Sequence, residues 1–349
     1  MMTKEKGGER VRFALIGCGR ISQTHLQALD SEPDCELLAV SDIRQDAAHS
    51  VAEQYHCRHY TNYQKLLERE PVEAVIICSP PSTHSEIANV FLDEGVHILC
   101  EKPLSIASKT AAEMVDKARS KNLLLMMASK FRYVDEVIKA KGILESGILG
   151  EIIQFQNVFC SRVDMKNRWN SDPAVAGGGV LIDNGSHSVD IARYLLGPID
   201  KVQAEEGKRV QGLRVEDTAR IYFRTDSNVL GSVDLSWSFH KEQESYVDLF
   251  GTEGALSIGW KCAKYRQSEN LEWVRFGNGY NKMAAFRNQI RNFVDTFQGT
   301  DLPLITAEDA LASVRVIEAA YKSVGMDKWM GVERDRTAVS TAPTEVLTE

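Results

Sequence analysis

Between residues 11 and 128 the chain alternates short, almost wholly apolar runs with amphipathic stretches. The runs cover 12–16, 36–41, 74–78, 96–100 and 123–127, and helical patterns cover 21–29, 45–54, 84–92 and 106–119. A strand without a polar side has to be covered on both faces, which a parallel sheet sandwiched between helices achieves. This half therefore reads as a doubly wound α/β domain over 11–128, with ligand expected at the C-terminal ends of its strands.

The rhythm changes after a helical pattern at 134–145. Long stretches at 151–160, 201–206, 218–223, 229–239, 246–250 and 255–258 alternate apolar and polar residues, and helical periods return at 183–195, 283–297 and 307–324. Period-two alternation predicts an open-faced, mainly antiparallel sheet with one buried side, in an α+β domain over 129–330. Residues 1–10 and 331–349 are polar without a period and are expected to be flexible. At 349 residues, the chain is long enough for a core in each domain.

Charge and composition exclude several classes. The net charge is −8 and the cations are scattered, so the basic stripe that nucleic acid requires is missing. No apolar run approaches the roughly 20 residues of a bilayer span, and the charged N-terminus has no apolar signal core behind it. Seven widely spaced cysteines, several inside apolar runs and none in a CxxC pair, argue for buried thiols in a reducing cytoplasm.

Chemistry-bearing residues gather at the expected strand ends. Gly17-Cys18-Gly19-Arg20-Ile21-Ser22 follows the first strand and opens a helix. Gly17 permits a tight turn, Gly19 lets the backbone approach a pyrophosphate, and the helix N-terminus meets its charge. Ser22 stands where a glycine or alanine is usual. Asp42, about 20 residues on, is placed to accept a ribose 2′-hydroxyl and favours NAD over NADP; Arg44 keeps NADP open.

Ser79-Pro80-Pro81-Ser82-Thr83-His84 makes a stiff bend at the end of the third run, where Ser79, Pro80 and His84 can face the cofactor. Ser82 or Thr83 could cap the following helix, with Glu86 as a capping-box partner. Glu101-Lys102-Pro103 ends the fourth run; Lys102 beside the nicotinamide could hydrogen-bond a substrate oxygen, and a cis Pro103 could aim it.

In the second half, Gly177-Gly178-Gly179 leads into a helix on which Asp183, His187 and Asp190 fall at i, i+4 and i+7, on one face. A carboxylate one turn from an imidazole can hold a substrate hydroxyl and tune the histidine for proton transfer. A metal role fails for want of third and fourth ligands.

With these segments in this order, the sequence resembles the Gfo/Idh/MocA oxidoreductases over about 11–324. Its carriers are the glycine turn, Asp42, Ser79–His84, Glu101-Lys102-Pro103 and the block from Gly177 to Asp190. The resemblance implies a Rossmann domain followed by an open sheet that mediates homodimers or homotetramers. It implies that Lys102 polarises the substrate oxygen, Asp183 orients a hydroxyl and His187 acts as acid/base. The implied reaction is hydride transfer between NAD(H) and a secondary alcohol or ketone of a sugar, inositol or nucleotide-linked sugar. Relatives carry a basic–aromatic pair after the last Rossmann strand, for which Lys130 and Arg132 both qualify. Arg168 and Trp169 are expected to close over substrate. A non-catalytic NAD(P)-binding regulator and an NAD-dependent glycosidase are the competing readings.

Overall fold

The computed structural model describes residues 10–270 and 272–333. The chain runs β1 (Val11–Ile16), α1 (Arg20–Asp30), β2 (Cys35–Ser41), α2 (Gln45–Tyr55), β3 (Arg58–Tyr60), α3 (Tyr63–Arg69), β4 (Ala74–Ile77), α4 (His84–Asp93), β5 (His97–Glu101), α5 (Ser108–Ser120) and β6 (Leu125–Ala128). These strands form one six-stranded sheet, order β3-β2-β1-β4-β5-β6, with every pair parallel. The strand order reverses between β1 and β4, so the crevice beyond their C-terminal ends is the natural ligand site of the sheet.

The second half contains α6 (Asp135–Glu145), β7 (Ile152–Cys160), α7 (Pro173–Ala176), α8 (Val180–Leu196), β8 (Ile199–Glu206), β9 (Thr218–Thr225), β10 (Leu230–Ser236), β11 (Ser245–Gly251), β12 (Gly254–Gly259), β13 (Ala263–Gln267), β14 (Val274–Gly277), α9 (Lys282–Phe297), α10 (Ala307–Met326) and β15 (Met330–Gly331). Nine strands make an open sheet, order β14-β13-β12-β11-β7-β10-β9-β8-β15. All neighbours are antiparallel except β7 and β10, which run parallel at its centre. Phe155, Ile221, Phe223, Val233, Leu235 and Leu249 line its buried face, against which α8 and α10 pack.

The two halves share a seam. Helix α9 lies on α1, and α10 on α5. Phe293 meets Phe13 of β1 at 5.7 Å between ring centroids, and Phe286 meets His25 at 4.8 Å. Gly331 falls in the β15 pairing with β8, and Val332 donates to Asp200 O at 2.8 Å, so the chain stays ordered past residue 331. The remainder of the expected flexible ends, 1–9 and 334–349, lies outside the described residues. Among the described residues no helix is long and apolar enough to cross a membrane.

Candidate active site

The glycine turn is built by two loops pressed together. Gly17 has φ +93°, and a Cβ there would sit 2.6 Å from the Ser79 backbone nitrogen. Only glycine satisfies both conditions. Gly19, the N-cap of α1, differs: an added Cβ would meet nothing within 4 Å, and no side chain caps the helix. Open space at an uncapped helix N-terminus is what an anionic group such as a pyrophosphate requires. Arg20 is exposed and Ile21 half-buried in the first turn. Ser22 is buried and donates its hydroxyl to Gly19 O at 2.6 Å, which explains how serine fits at the third position of the fingerprint.

Asp42 is fixed against this turn. Its two carboxylate oxygens accept the Cys18 and Arg44 N–H groups, each at 2.8 Å, and the Arg44 Nε lies 3.5 Å away. Beside it Ile43 is 92% exposed, an apolar side chain in the open at the cofactor end of the sheet. Sequence periodicity gave no reason to single it out.

At the ends of β4 and β5 two expectations are corrected. His84 is fully buried, with Nδ1 2.9 Å from Pro103 O and Nε2 2.9 Å from Ser79 O, and as a neutral imidazole it donates to one of these carbonyls. It ties the Ser79-Pro80 loop to the Lys102-Pro103 loop and has no nitrogen left for a cofactor. Glu86 is no capping partner either; it accepts the Tyr63 hydroxyl at 2.9 Å, and neither Ser82 nor Thr83 caps α4. Glu101 turns inward, where it accepts from His25 Nε2 at 2.8 Å and from the Lys102 N–H at 3.2 Å. Burial pushes this carboxyl up, but the His25 hydrogen bond and the nearby His25, Lys102 and Lys130 charges outweigh it and hold its pKa below the usual value.

Lys102 reaches across to the second half. Its peptide bond to Pro103 is cis, and its Nζ ion-pairs with Asp183 Oδ1 and donates to Asp183 O at 3.0 Å. Asp183 stands in the first turn of α8, and His187 one turn further on. The expected Asp183–His187 pairing is replaced by this Asp183–Lys102 pair. His187 is nearly buried, its Nδ1 has no partner among the described residues, and Phe131 packs edge-on at 5.1 Å. Burial, then the charges of Lys102 and Lys130, hold its pKa well below the ordinary histidine value, so the imidazole is neutral.

Asp190 does not belong to this group. It is fully buried and bonds Arg132 at 2.5 and 3.2 Å, while Arg132 also pairs with Asp309 at 2.9 Å. That network assigns Arg132 to the framework and leaves Lys130 at the site.

A cavity of about 780 Å³ opens beside His187. Its wall includes Lys130, Phe131, Phe159, Asn184 and Trp260, together with the segment from His240 to Ser245. Arg168 and Trp169, expected over the substrate, are not in this wall. Trp169 is 46% exposed, and its segment leads into α7, which packs on the Pro81–Thr83 turn. Phe159 near the end of β7, Trp260 just past β12 and Asn184 on α8 went unnoticed as site residues because they come together from separate elements and share no local motif.

Two family models match the chain: "Oxidoreductase family, NAD-binding Rossmann fold" over residues 11–129 and "GFO/IDH/MocA C-terminal domain" over 137–257. An uncharacterized oxidoreductase of Schizosaccharomyces pombe is 37% identical over 309 residues, spanning 76% of this chain and 82% of that protein. Myo-inositol 2-dehydrogenase of Thermotoga maritima is 27% identical, with 90% and 96% covered. Levoglucosan dehydrogenase, solved with NADH and levoglucosan, superposes with a TM-score of 0.87 at 20% identity, covering 93% of this chain and all of that one.

Proposed function

Because the chain belongs to the Gfo/Idh/MocA family of NAD-dependent oxidoreductases, we propose that it oxidises a secondary alcohol of a sugar, inositol or nucleotide-linked sugar, or reduces the matching ketone, with Lys102, Asp183 and His187 handling the proton. The observation that carries this reading is the Lys102–Asp183 pair formed between the two halves of the chain, with a neutral His187 one turn along α8 in the wall of a cavity. The inositol and sugar dehydrogenases among its relatives support the substrate class.

The open space at Gly19, the uncapped α1 N-terminus and the pinned Asp42 carboxylate fit the pyrophosphate and adenosine ribose of NAD. Arg20, Ile21, Ser79 and Pro80 border that path, and Ile43 offers an apolar surface for the adenine. When bound, NAD supplies the hydride acceptor, or in its reduced form the donor. The Lys102 ammonium donates a hydrogen bond to the oxygen on the reacting carbon and stabilises negative charge that grows there. Asp183 holds that ammonium in place. Neutral His187 accepts the hydroxyl proton as the C–H bond breaks, and returns it when a ketone is reduced.

The test is incubation with NAD⁺ and a panel of inositols, sugars and nucleotide sugars, followed at the absorbance of reduced nicotinamide. Lys102→Met and His187→Ala should each lower kcat by about 10²–10⁴-fold while NADH still binds. Undiminished turnover in both would remove the assignment. Free sugar released without net NADH would turn the reading to a glycosidase. Asp42→Ala should relax discrimination against NADP⁺ in the same assay.

Tyr222, Leu230 and Phe250 are exposed together on the outer face of the sheet, which supports a homodimer or homotetramer through this domain. Sedimentation showing only monomers at micromolar concentration would contradict it.

A further inference from the structure

Lys130 stands in the cavity wall on the Lys130–Tyr133 turn that follows β6. Its ammonium lies 5.2 Å from the centroid of the Phe131 ring, and among the described residues it has no hydrogen-bond acceptor and no carboxylate within ion-pairing distance. Of the cations around it, three are answered, while Lys261 at the mouth and Lys282 are exposed and in no ion pair among the described residues. Lys102 holds Asp183, Lys241 holds Asp234 at 2.6 Å, and Arg132 holds Asp190 and Asp309. Of the two acids in the wall, Glu244 pairs with Lys264 and Glu242 is exposed at the mouth. Among the described residues, Lys130 is therefore the half-buried ammonium of this wall with no ion pair, beside a neutral imidazole.

A half-buried ammonium with only an aromatic face for company gains a charge-assisted hydrogen bond from a ligand anion. We propose that Lys130 binds a carboxylate of the substrate, so that the compound oxidised here is a sugar acid of the uronic or aldonic class. This rests on reading the site as a dehydrogenase centre. Lys130 shares the cavity wall with His187, so the bound carboxylate lies in the same cavity as the group assigned to the hydroxyl proton. A single ammonium over a ring suits a monovalent carboxylate. A phosphate dianion draws on several donors or on a helix N-terminus.

The NADH-loaded protein should be titrated calorimetrically with D-glucuronate, D-galacturonate and D-gluconate. D-Glucose, D-galactose, D-glucitol and D-glucose 6-phosphate serve as comparisons. The wild-type chain should bind at least one acid about 10–100-fold more tightly than its neutral counterpart, the range for one charge-assisted hydrogen bond. Lys130→Met should erase that preference and Lys130→Arg should keep part of it, with NADH affinity retained in both. Equal binding of acid and neutral sugar, a preference untouched in Lys130→Met, or preference for the phosphate ester would each overturn the assignment. NADH formation from NAD⁺ separates the two readings. Turnover of neutral sugars with no acid preference removes the carboxylate site and leaves the dehydrogenase. Lys130-dependent acid binding with no NADH from any compound removes the dehydrogenase and leaves the carboxylate site.

Discussion

Gly17 and Gly19 stand two residues apart and answer to different demands. At Gly17 the left-handed backbone and the 2.6 Å approach to Ser79 make any side chain a steric problem for the folded protein itself. Gly17→Ala should destabilise by roughly 1–3 kcal/mol or more, read as a lower urea midpoint. At Gly19 the space is open, so Gly19→Ala should change stability by no more than about 0.5 kcal/mol. Its methyl group would enter the pyrophosphate path and weaken NADH binding, which calorimetry checks.

The buried histidines make a second prediction. Burial lowers the pKa of His84, His97 and His187 from an ordinary 6.5. The unfolded chain binds these protons near pH 6.5 and the native chain resists them. Their contribution to stability is full above that pH and is lost as pH falls through 6.5 toward the depressed values. Thermal midpoints should drop between pH 7.5 and 5.5, and His187→Gln should flatten the slope.

Lys130 titrates from the other side. Burial first, then Lys102 and Lys282, lower it to about 8 against the pull of Glu101 and Asp183. The KM for a carboxylate substrate should therefore rise as pH passes about 8.

Gly17, Gly19, Asp42, Lys102, Asp183 and His187 sit at strand ends or on one helix face, where spacing translates directly into position. Lys130 and Arg132 could not be separated that way. Their fates depend on Asp190 and Asp309, which lie 58 and 177 residues away from Arg132. Asp190 misled for the same reason.

At the scale of elements, α8 carries Asp183 and His187 and is anchored from outside. The Glu216 carboxylate, buried and in no ion pair among the described residues, accepts Gly179 N–H at 2.9 Å, Leu181 N–H at 3.0 Å and the Tyr321 hydroxyl at 2.8 Å. Burial raises its pKa, opposed by the Tyr321 and backbone hydrogen bonds. Glu216→Ala would leave these donors unpaired and should cost about 1–3 kcal/mol. Because the first turn of α8 aims Asp183 at Lys102, kcat should fall as well, and unchanged kcat would detach the cap from the site. The long strands and helices were legible from their periods. Strands β3 and β14 at sheet edges and β13 next to one were not, because Arg58-His59-Tyr60, the half-buried Lys264 and Arg266 and the exposed Arg275 lack an apolar face to alternate. The parallel pairing of β7 with β10 was equally invisible, since alternation records which face is buried and not which way a neighbour runs.

Across the whole molecule, the dinucleotide-binding sheet depends on helices supplied some 150 residues later. Phe286, Phe293 and Phe297 of α9 cover His25, Phe13 and His97, and Arg291 bonds Asp34 at 3.0 Å. A fragment ending at residue 129 would expose this surface to water. It should lack a cooperative urea transition, whereas the full chain should melt with both halves coupled; a stable, NADH-binding fragment would show the seam to be dispensable.

The wall opposite the chemistry has another character. From His240 to Gln243 the backbone follows no helix or strand and joins the end of one sheet strand to the start of the next. Such a tether can be shortened, lengthened or rewritten while the residues that move protons stay as they are. A lineage carrying this architecture can change its diet through a handful of codons, and grafting a relative's tether into this chain should transfer taste for a carbohydrate without altering appetite for NAD.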